Sequence, residues 1–374
     1  MSASIGERLA RRKVPVLLVS GVNEAAMLAS TVSLQFGLPD TVAVRHTIDP
    51  GRQVLTRTVS DVTGVIEHEE INLAHACVTC AVREDIVPTL ERLARSGRWP
   101  SIVACLPIAA EAASVCRALH WSPRTAAHVS IAAVVAALDG STLLEDLLDG
   151  DLLDERGLAT SDDDRRGVAE VACAMVEYAD VVSLTEGAPT AEEDALVAAL
   201  ARPRVPVVED PSLLDAAALA LGVHRHQATE AWVADVRDGD LPPLPHPGAW
   251  RLDLTSDRPF HPARFQDELA RLGGGPHRSR GCFWLPTRPG DVCAWDGAGG
   301  QASVGLAHPW QHGEPRLTRI VVTGVEGASG LRSEVAAAFE RCLVTAEELA
   351  ARGPAWNDSW DGLEPWLGPI DRVA

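Results

Sequence analysis

Lysine is all but missing from this 374-residue chain: Lys13 stands alone, and every other Lys/Arg position is arginine. Any chemistry that needs an amine side chain has one candidate, and it lies ahead of the first apolar run. Positive charge is scarce as well. With 33 Lys plus Arg against 52 Asp plus Glu, the formal net charge is −19, which excludes non-specific nucleic-acid binding driven by phosphate neutralisation. No run reaches the ~20 apolar residues of a membrane span. The opening MSASIGERLARRK carries charge without a following apolar stretch and cleavage site, so the cytoplasm is the expected compartment. In that compartment the 8 cysteines read as reduced thiols or metal ligands before they read as a disulfide framework.

Apolar residues make up 46% of the chain, enough for a well-buried core, and the length suggests two domains. Residues 14–20 (VPVLLVS) form a β-rich run ending at Gly21, followed by a helix-compatible stretch from Asn23 to Gln35. The alternation continues. Strands are expected at Thr41–Ile48, Val54–Val59, Ser101–Pro107, Val129–Leu138, Asp180–Leu184 and Val205–Val208, with helices at Val82–Arg95, Ala109–Leu119, Val168–Tyr178 and Ala191–Ala201. This order implies an α/β domain over 1–237, a mostly parallel sheet with helices on both faces. Residues 238–249, four of them proline, read as a stiff linker. A smaller α+β domain is expected over 250–344, a sheet with helices on one face, followed by a Trp-rich tail over 345–374 that docks on its own protein or on a partner.

Two segments carry chemical information. A P-loop wraps phosphates with glycine-rich backbone, reaches them with a lysine and holds magnesium with a following Ser or Thr. The loop after the first strand keeps Gly21, but Met27 replaces the lysine, Leu28 replaces the hydroxyl, and Glu24 adds a carboxylate. At ~4 Å that charge would repel a phosphate by roughly 4 kcal/mol at an effective dielectric near 20. GTP with magnesium is therefore not expected here, and on its own the segment also fits an ordinary strand-to-helix turn. The second segment is His75-Ala76-Cys77-Val78-Thr79-Cys80. Two thiols at C-x-x-C spacing can hold zinc, with His75 as a third ligand, can form a reversible disulfide, or can pack as inert thiols.

Taken together, these segments resemble the CobW-type metallochaperone GTPases of the P-loop class. Their C-x-C-C hallmark with a following threonine-valine-arginine and aspartate lines up with Cys77, Thr79, Cys80 and Ala81-Val82-Arg83-Glu84-Asp85. Val134–Asp139 fits their strand ending in aspartate, and Gly281-Cys282-Phe283-Trp284-Leu285 fits a signature of their C-terminal domain. The resemblance implies a P-loop-NTPase-like fold with a CobW C-terminal-type domain. It also marks the departures, because the guanine-reading motif falls on Ser183-Leu184-Thr185-Glu186, which keeps only the acid Glu186.

The stretch from Val54 to Asp85 is similar to an actinobacterial branch that recruits a hibernation-promoting factor to ribosomes under zinc starvation. That branch implies a non-catalytic, pseudo-GTPase adaptor with the ribosome and a hibernation-promoting factor as partners, zinc-responsive through Cys77, Cys80 and His75. Arg278 and Arg280 are then the expected local ribosome contact on an otherwise acidic protein. The alternative implied by the wider family is a zinc metallochaperone that retains GTP binding or hydrolysis.

Overall fold

The computed structural model describes residues 13–75, 77–122, 126–237, 239–327, 330–356 and 360–370. Asp238, at the start of the expected linker, and tail residues 357–359 and 371–374 lie outside them.

Two sheets organise the described chain. The first has the order β4-β3-β2-β5-β1-β6-β7-β8, built from β1 (Val14–Ser20), β2 (Val42–Asp49), β3 (Val54–Asp61), β4 (Gly64–Asn72), β5 (Ile102–Cys105), β6 (Val129–Asp139), β7 (Val181–Thr185) and β8 (Val207–Val208). From β2 to β8 all neighbours run parallel, and β3 and β4 extend the edge as antiparallel strands. The central strands are apolar on both faces because both are covered. Val16 and Leu18 of β1 pack with Leu90, Leu93, Val115 and Leu119, from α3 (Val87–Ser96) and α4 (Ala112–Trp121). Leu17 and Val19 point the other way, onto Ala26, Met27 and Leu34 of α1 (Glu24–Gly37). The α/β sandwich expected from the sequence is therefore present.

The missed strand is β4, GVIEHEEIN, which is largely exposed at the sheet edge. Its charges suit an edge, where they discourage pairing with another chain, and they also mask the alternation that announces a strand. Farther along, α5 (Leu143–Leu148), α6 (Val168–Tyr178) and α7 (Ala191–Leu200) continue the cover over β6 and β7. The short α8 (Ala216–Ala220) and α9 (His226–Val233) precede the second sheet.

That second sheet is antiparallel, ordered β12-β11-β10-β13-β9, from β9 (Ala249–Ser256), β10 (Arg278–Leu285), β11 (Arg288–Ala298), β12 (Gln301–Pro309) and β13 (Thr318–Val325). Helices α10 (Pro262–Gly273) and α11 (Leu331–Cys342) meet the sheet through Phe260, Phe265, Phe283, Trp295 and Phe339. Only glycine fits at position 281: φ is +152° and a Cβ would lie 1.9 Å from the Arg319 carbonyl oxygen. Beyond α12 (Ala346–Arg352), the tail docks on its own domain. Asp361 forms a buried ion pair with Arg288, while Leu363 and Leu367 join the core and Trp360 and Trp366 stay exposed. Among the described residues no helix is long and apolar enough to cross a membrane.

Ion pairs fasten the helices of this second unit. Arg341 and Arg271 bring Glu268 down to about 2 from the ordinary 4.5, and Arg264 does the same to Glu348. A depressed carboxylate stabilises the fold above its unfolded pKa, and that stability is lost as pH falls through the folded value. The second sheet is thus expected to loosen between pH about 4.5 and 2. Tryptophan fluorescence, to which seven of the ten tryptophans contribute from residues 250–366, should show the transition shift to higher pH in Glu268→Gln.

Candidate functional site

The glycine after β1 is needed for packing, since a Cβ at Gly21 would lie 2.3 Å from the Ala137 carbonyl oxygen. Asn23 then caps α1: its side-chain oxygen accepts the Ala26 N–H at 3.0 Å, and its amide donates to Asp139 at 3.1 Å. Met27 is buried under the sheet, while Glu24 forms an ion pair with Arg45. The adjacent cavity, about 180 Å³, is walled by Met27, Leu28, Ile48, Leu106 and Ile108, with Glu24 and Arg45 at the polar end. Magnesium and a triphosphate would find no lysine, no hydroxyl at Leu28, and an arginine already held by an acid. Glu186 sits exposed in a left-handed turn (φ 57°) after β7. Across from that turn, Gly140 leaves room for the Thr185 and Gly187 carbonyls, which a Cβ would meet at 2.9 and 2.7 Å. These residues do not fit Mg-GTP bound in the P-loop manner.

The cysteine segment is built differently. Cys77 opens α2 (Val78–Ala81), its sulfur accepting the Cys80 N–H at 3.3 Å. Both thiols are free and half-buried. Hydrogen bonding to Cys77, with burial adding to it, pushes the Cys80 thiol above its ordinary value. A π-helical turn, Val82–Ile86, follows at once and joins α2 to α3. Such turns are uncommon and often mark functional positions.

That turn points Asp85 inward. Its carboxylate meets His46 of β2 at 2.9 Å and the guanidinium of Arg57 of β3, and Thr89 donates to it at 3.3 Å. Burial opposes the charge, but His46 and Arg57 outweigh it and keep Asp85 below the usual carboxylate range. The C-x-x-C helix is thereby anchored to the sheet. His75 is not gathered in with the thiols. It lies exposed, contributing its carbonyl to the Cys77 N–H at 2.8 Å, and among the described residues no three His, Cys, Asp or Glu side chains form a ready-made metal site.

Cys77 lines a cleft of about 550 Å³ whose walls include Glu111 just ahead of α4, Asp163, Asp164, Arg165, Arg166 and Glu170 of α6, with Arg166 pairing with Asp164 at 2.8 Å and Glu111 at 3.3 Å. Burial pushes Glu111 and Glu170 above the ordinary glutamate value. Asp164, also buried, is instead brought down to about 2 by Arg166. A divalent cation entering this cleft would favour the ionised form of the raised carboxyls. This grouping is not visible in the sequence. Glu111, Asp164 and Glu170 come from separate elements, so no local spacing announces them.

The basic patch expected for a ribosome contact is not on the surface. Arg278 is 2% exposed, donating to Glu177 at 2.9 and 3.1 Å and pairing with Asp296. Arg280 donates to the same glutamate at 2.7 Å. Strand alternation next to an interface turned these arginines inward, where they join the two sheets' domains instead of facing a partner. Arg264 and Arg271 are likewise held by Glu348 and Glu268.

Residues 250–343 match the model of the cobalamin synthesis protein cobW C-terminal domain. Over 314 residues the chain is 31% identical to a zinc chaperone of Mycobacterium tuberculosis, spanning 80% of this chain and 74% of that protein. The chain belongs to the CobW family. Another relative, the zinc-regulated GTPase metalloprotein activator 1 of Dictyostelium discoideum, is 21% identical over 340 residues, covering 80% of the CobW-family chain and 70% of its own length. The crystal structure of the Zn(II)-bound YjiA GTPase from E. coli aligns over 89% of this chain and all of that one, at 14% identity and a TM-score of 0.34. The Dictyostelium relative carries GTPase in its name, so the expected absence of GTP finds no support there. The names speak of zinc, and none of them speaks of ribosomes.

Proposed function

We infer that this protein is a zinc metallochaperone that carries the ion on Cys77 and Cys80 at the mouth of the carboxylate-lined cleft. One observation carries the reading: two free, half-buried thiols are held together at the start of one helix, and Cys77 opens onto a cleft where Asp163 and Glu170 stand beside Glu111 and Asp164, the latter two shared with Arg166. A structural zinc site closes four ligands around the ion, whereas two thiolates leave positions open. Water or the cleft carboxylates fill those positions during carriage, and an acceptor's own ligands replace them at delivery. The family's zinc-named relatives favour this reading over the ribosome adaptor, whose expected contact residues Arg278 and Arg280 are internal.

Nucleotide enters this account only as a question about the Gly21–Leu28 loop. Since Met27, Leu28 and Glu24 do not fit Mg-GTP, we assign no GTP-driven step to that loop. Isothermal titration is expected to show no heat with Mg-GTP at micromolar concentration, and saturable heat there would require a different nucleotide mode.

Zinc binding is tested by competition against a chromophoric chelator. The wild type should bind one zinc per chain, and Cys77→Ser or Cys80→Ser should weaken binding by about a hundredfold or more. His75→Ala should cost less than about tenfold, because His75 stands outside the thiol pair. A loss as large as that of the cysteines would make His75 a ligand, and unchanged affinity in both serine variants would overturn the proposal.

A further inference from the structure

Between the two sheets' domains lies a second polar cavity, remote in sequence from the C-x-x-C segment. Five arginines line it: Arg237, Arg251, Arg278, Arg280 and Arg319, facing the acids Glu177 and Asp235. Three of the five have carboxylate partners, Arg278 and Arg280 through Glu177 and Arg319 through Asp253 at 2.6 Å. The other two do not. Arg237 donates to the Trp232 carbonyl and stacks 4.5 Å over the Trp232 ring, and Arg251 donates to the carbonyls of Pro242 and Ala199. Among the described residues neither forms an ion pair, although both are half-buried.

An always-charged guanidinium in a partly dry cavity needs a counter-charge. Burial lowers Arg237 to about 10, the like charges of Arg280, Arg319 and Arg251 add to the shift, and Glu177 opposes it, so the unpaired guanidiniums sit in a cavity where the acids are already engaged by the other three arginines or lie at its wall. The space is small, about 40 Å³. At ~10–15 Å³ per water position it holds about three waters or one compact oxyanion, and no nucleoside. Planar guanidiniums match tetrahedral oxyanions through paired N–H donors, and they do so better than they match a halide.

We propose that the interdomain cavity lined by Arg237 and Arg251 is a binding site for a single phosphate-class oxyanion, which completes the contact between the two domains. The anion bridges the segment that follows α9, which carries Arg237, to β9, which carries Arg251. Binding at this site is independent of the thiol pair, so it holds whether or not zinc is the cargo.

The test uses the full chain and inorganic phosphate as the probe. Isothermal titration and thermal unfolding are run against chloride at matched ionic strength. The wild type should bind one phosphate and melt at higher temperature with phosphate than with chloride. Arg237→Gln and Arg251→Gln, made separately, should each weaken phosphate binding at least tenfold while leaving zinc binding unchanged, and a cooperative melt in chloride confirms that each variant folds. If one variant fails to fold, the other carries the test. Equal response to phosphate and chloride, or a phosphate effect that survives in a folded variant, overturns the proposal.

Discussion

Replacing Glu177 by alanine is expected to lower the unfolding free energy by about 3–5 kcal/mol, the usual cost of removing one partner from a buried charge network. Glu177 is on α6, 5% exposed, and accepts hydrogen bonds from both Arg278 and Arg280 of β10. Burial works against its ionised form, yet the two arginines hold its carboxyl below the usual range. Without it Arg280 keeps only the Val233 carbonyl, and Arg278 keeps Asp296 and the Gly297 carbonyl. Two neighbouring cations on one strand would then face the domain contact without their shared acid. Urea denaturation measures the loss. A combined Glu177→Leu and Arg278→Met chain should recover part of it, because the apolar pair removes a charge instead of stranding it. A single-variant loss under about 1 kcal/mol would show that water reaches these arginines and pairs them instead, as at an exposed ion pair.

Asp85→Ala is expected to cost a similar ~3–5 kcal/mol and to reach farther into function. His46 and Arg57 are both buried and converge on this carboxylate, so its removal leaves the imidazole without an acid and the guanidinium with only Glu69 and Glu67 beneath the π-helical turn. The turn leads directly out of α2, and the cysteines at its start depend on it for their position. Asp85→Asn keeps the volume and can still accept one hydrogen bond, so it should cost less than the alanine. Guanidine denaturation of both variants gives the stability order, and zinc affinity measured on the folded protein shows whether the thiol pair has moved. Equal stability of Asp85→Ala and the wild type would mean that the anchor is not holding the turn.

The sequence disclosed those parts of the molecule that local chemistry dictates. The β1 and β6 runs are dense in Val, Leu, Ala and Ile and bounded by turn residues, as strands buried on both faces must be. Helix α6 follows the expected bounds, Val168–Tyr178. The loss of lysine and hydroxyl at Met27 and Leu28 is also a purely local fact, and the geometry around them bears on it directly.

What stayed hidden depends on distance along the chain. Arg278 looks like part of a basic surface patch until Glu177, 101 residues away, is folded against it. The same holds for the cleft, where Cys77, Glu111 and Glu170 come together from three elements. Edge strand β4 was hidden for the opposite reason, since its many charges suit its exposed position and break the apolar alternation.

The central claim is that Cys77 and Cys80 hold zinc in a shell that stays partly open. X-ray absorption at the zinc edge, on the full chain loaded with one equivalent, tests it most directly. The account predicts two sulfur neighbours at about 2.3 Å with oxygen or nitrogen completing the shell, and one sulfur fewer in Cys77→Ser or Cys80→Ser. A spectrum without sulfur, or one unchanged by both substitutions, would contradict it.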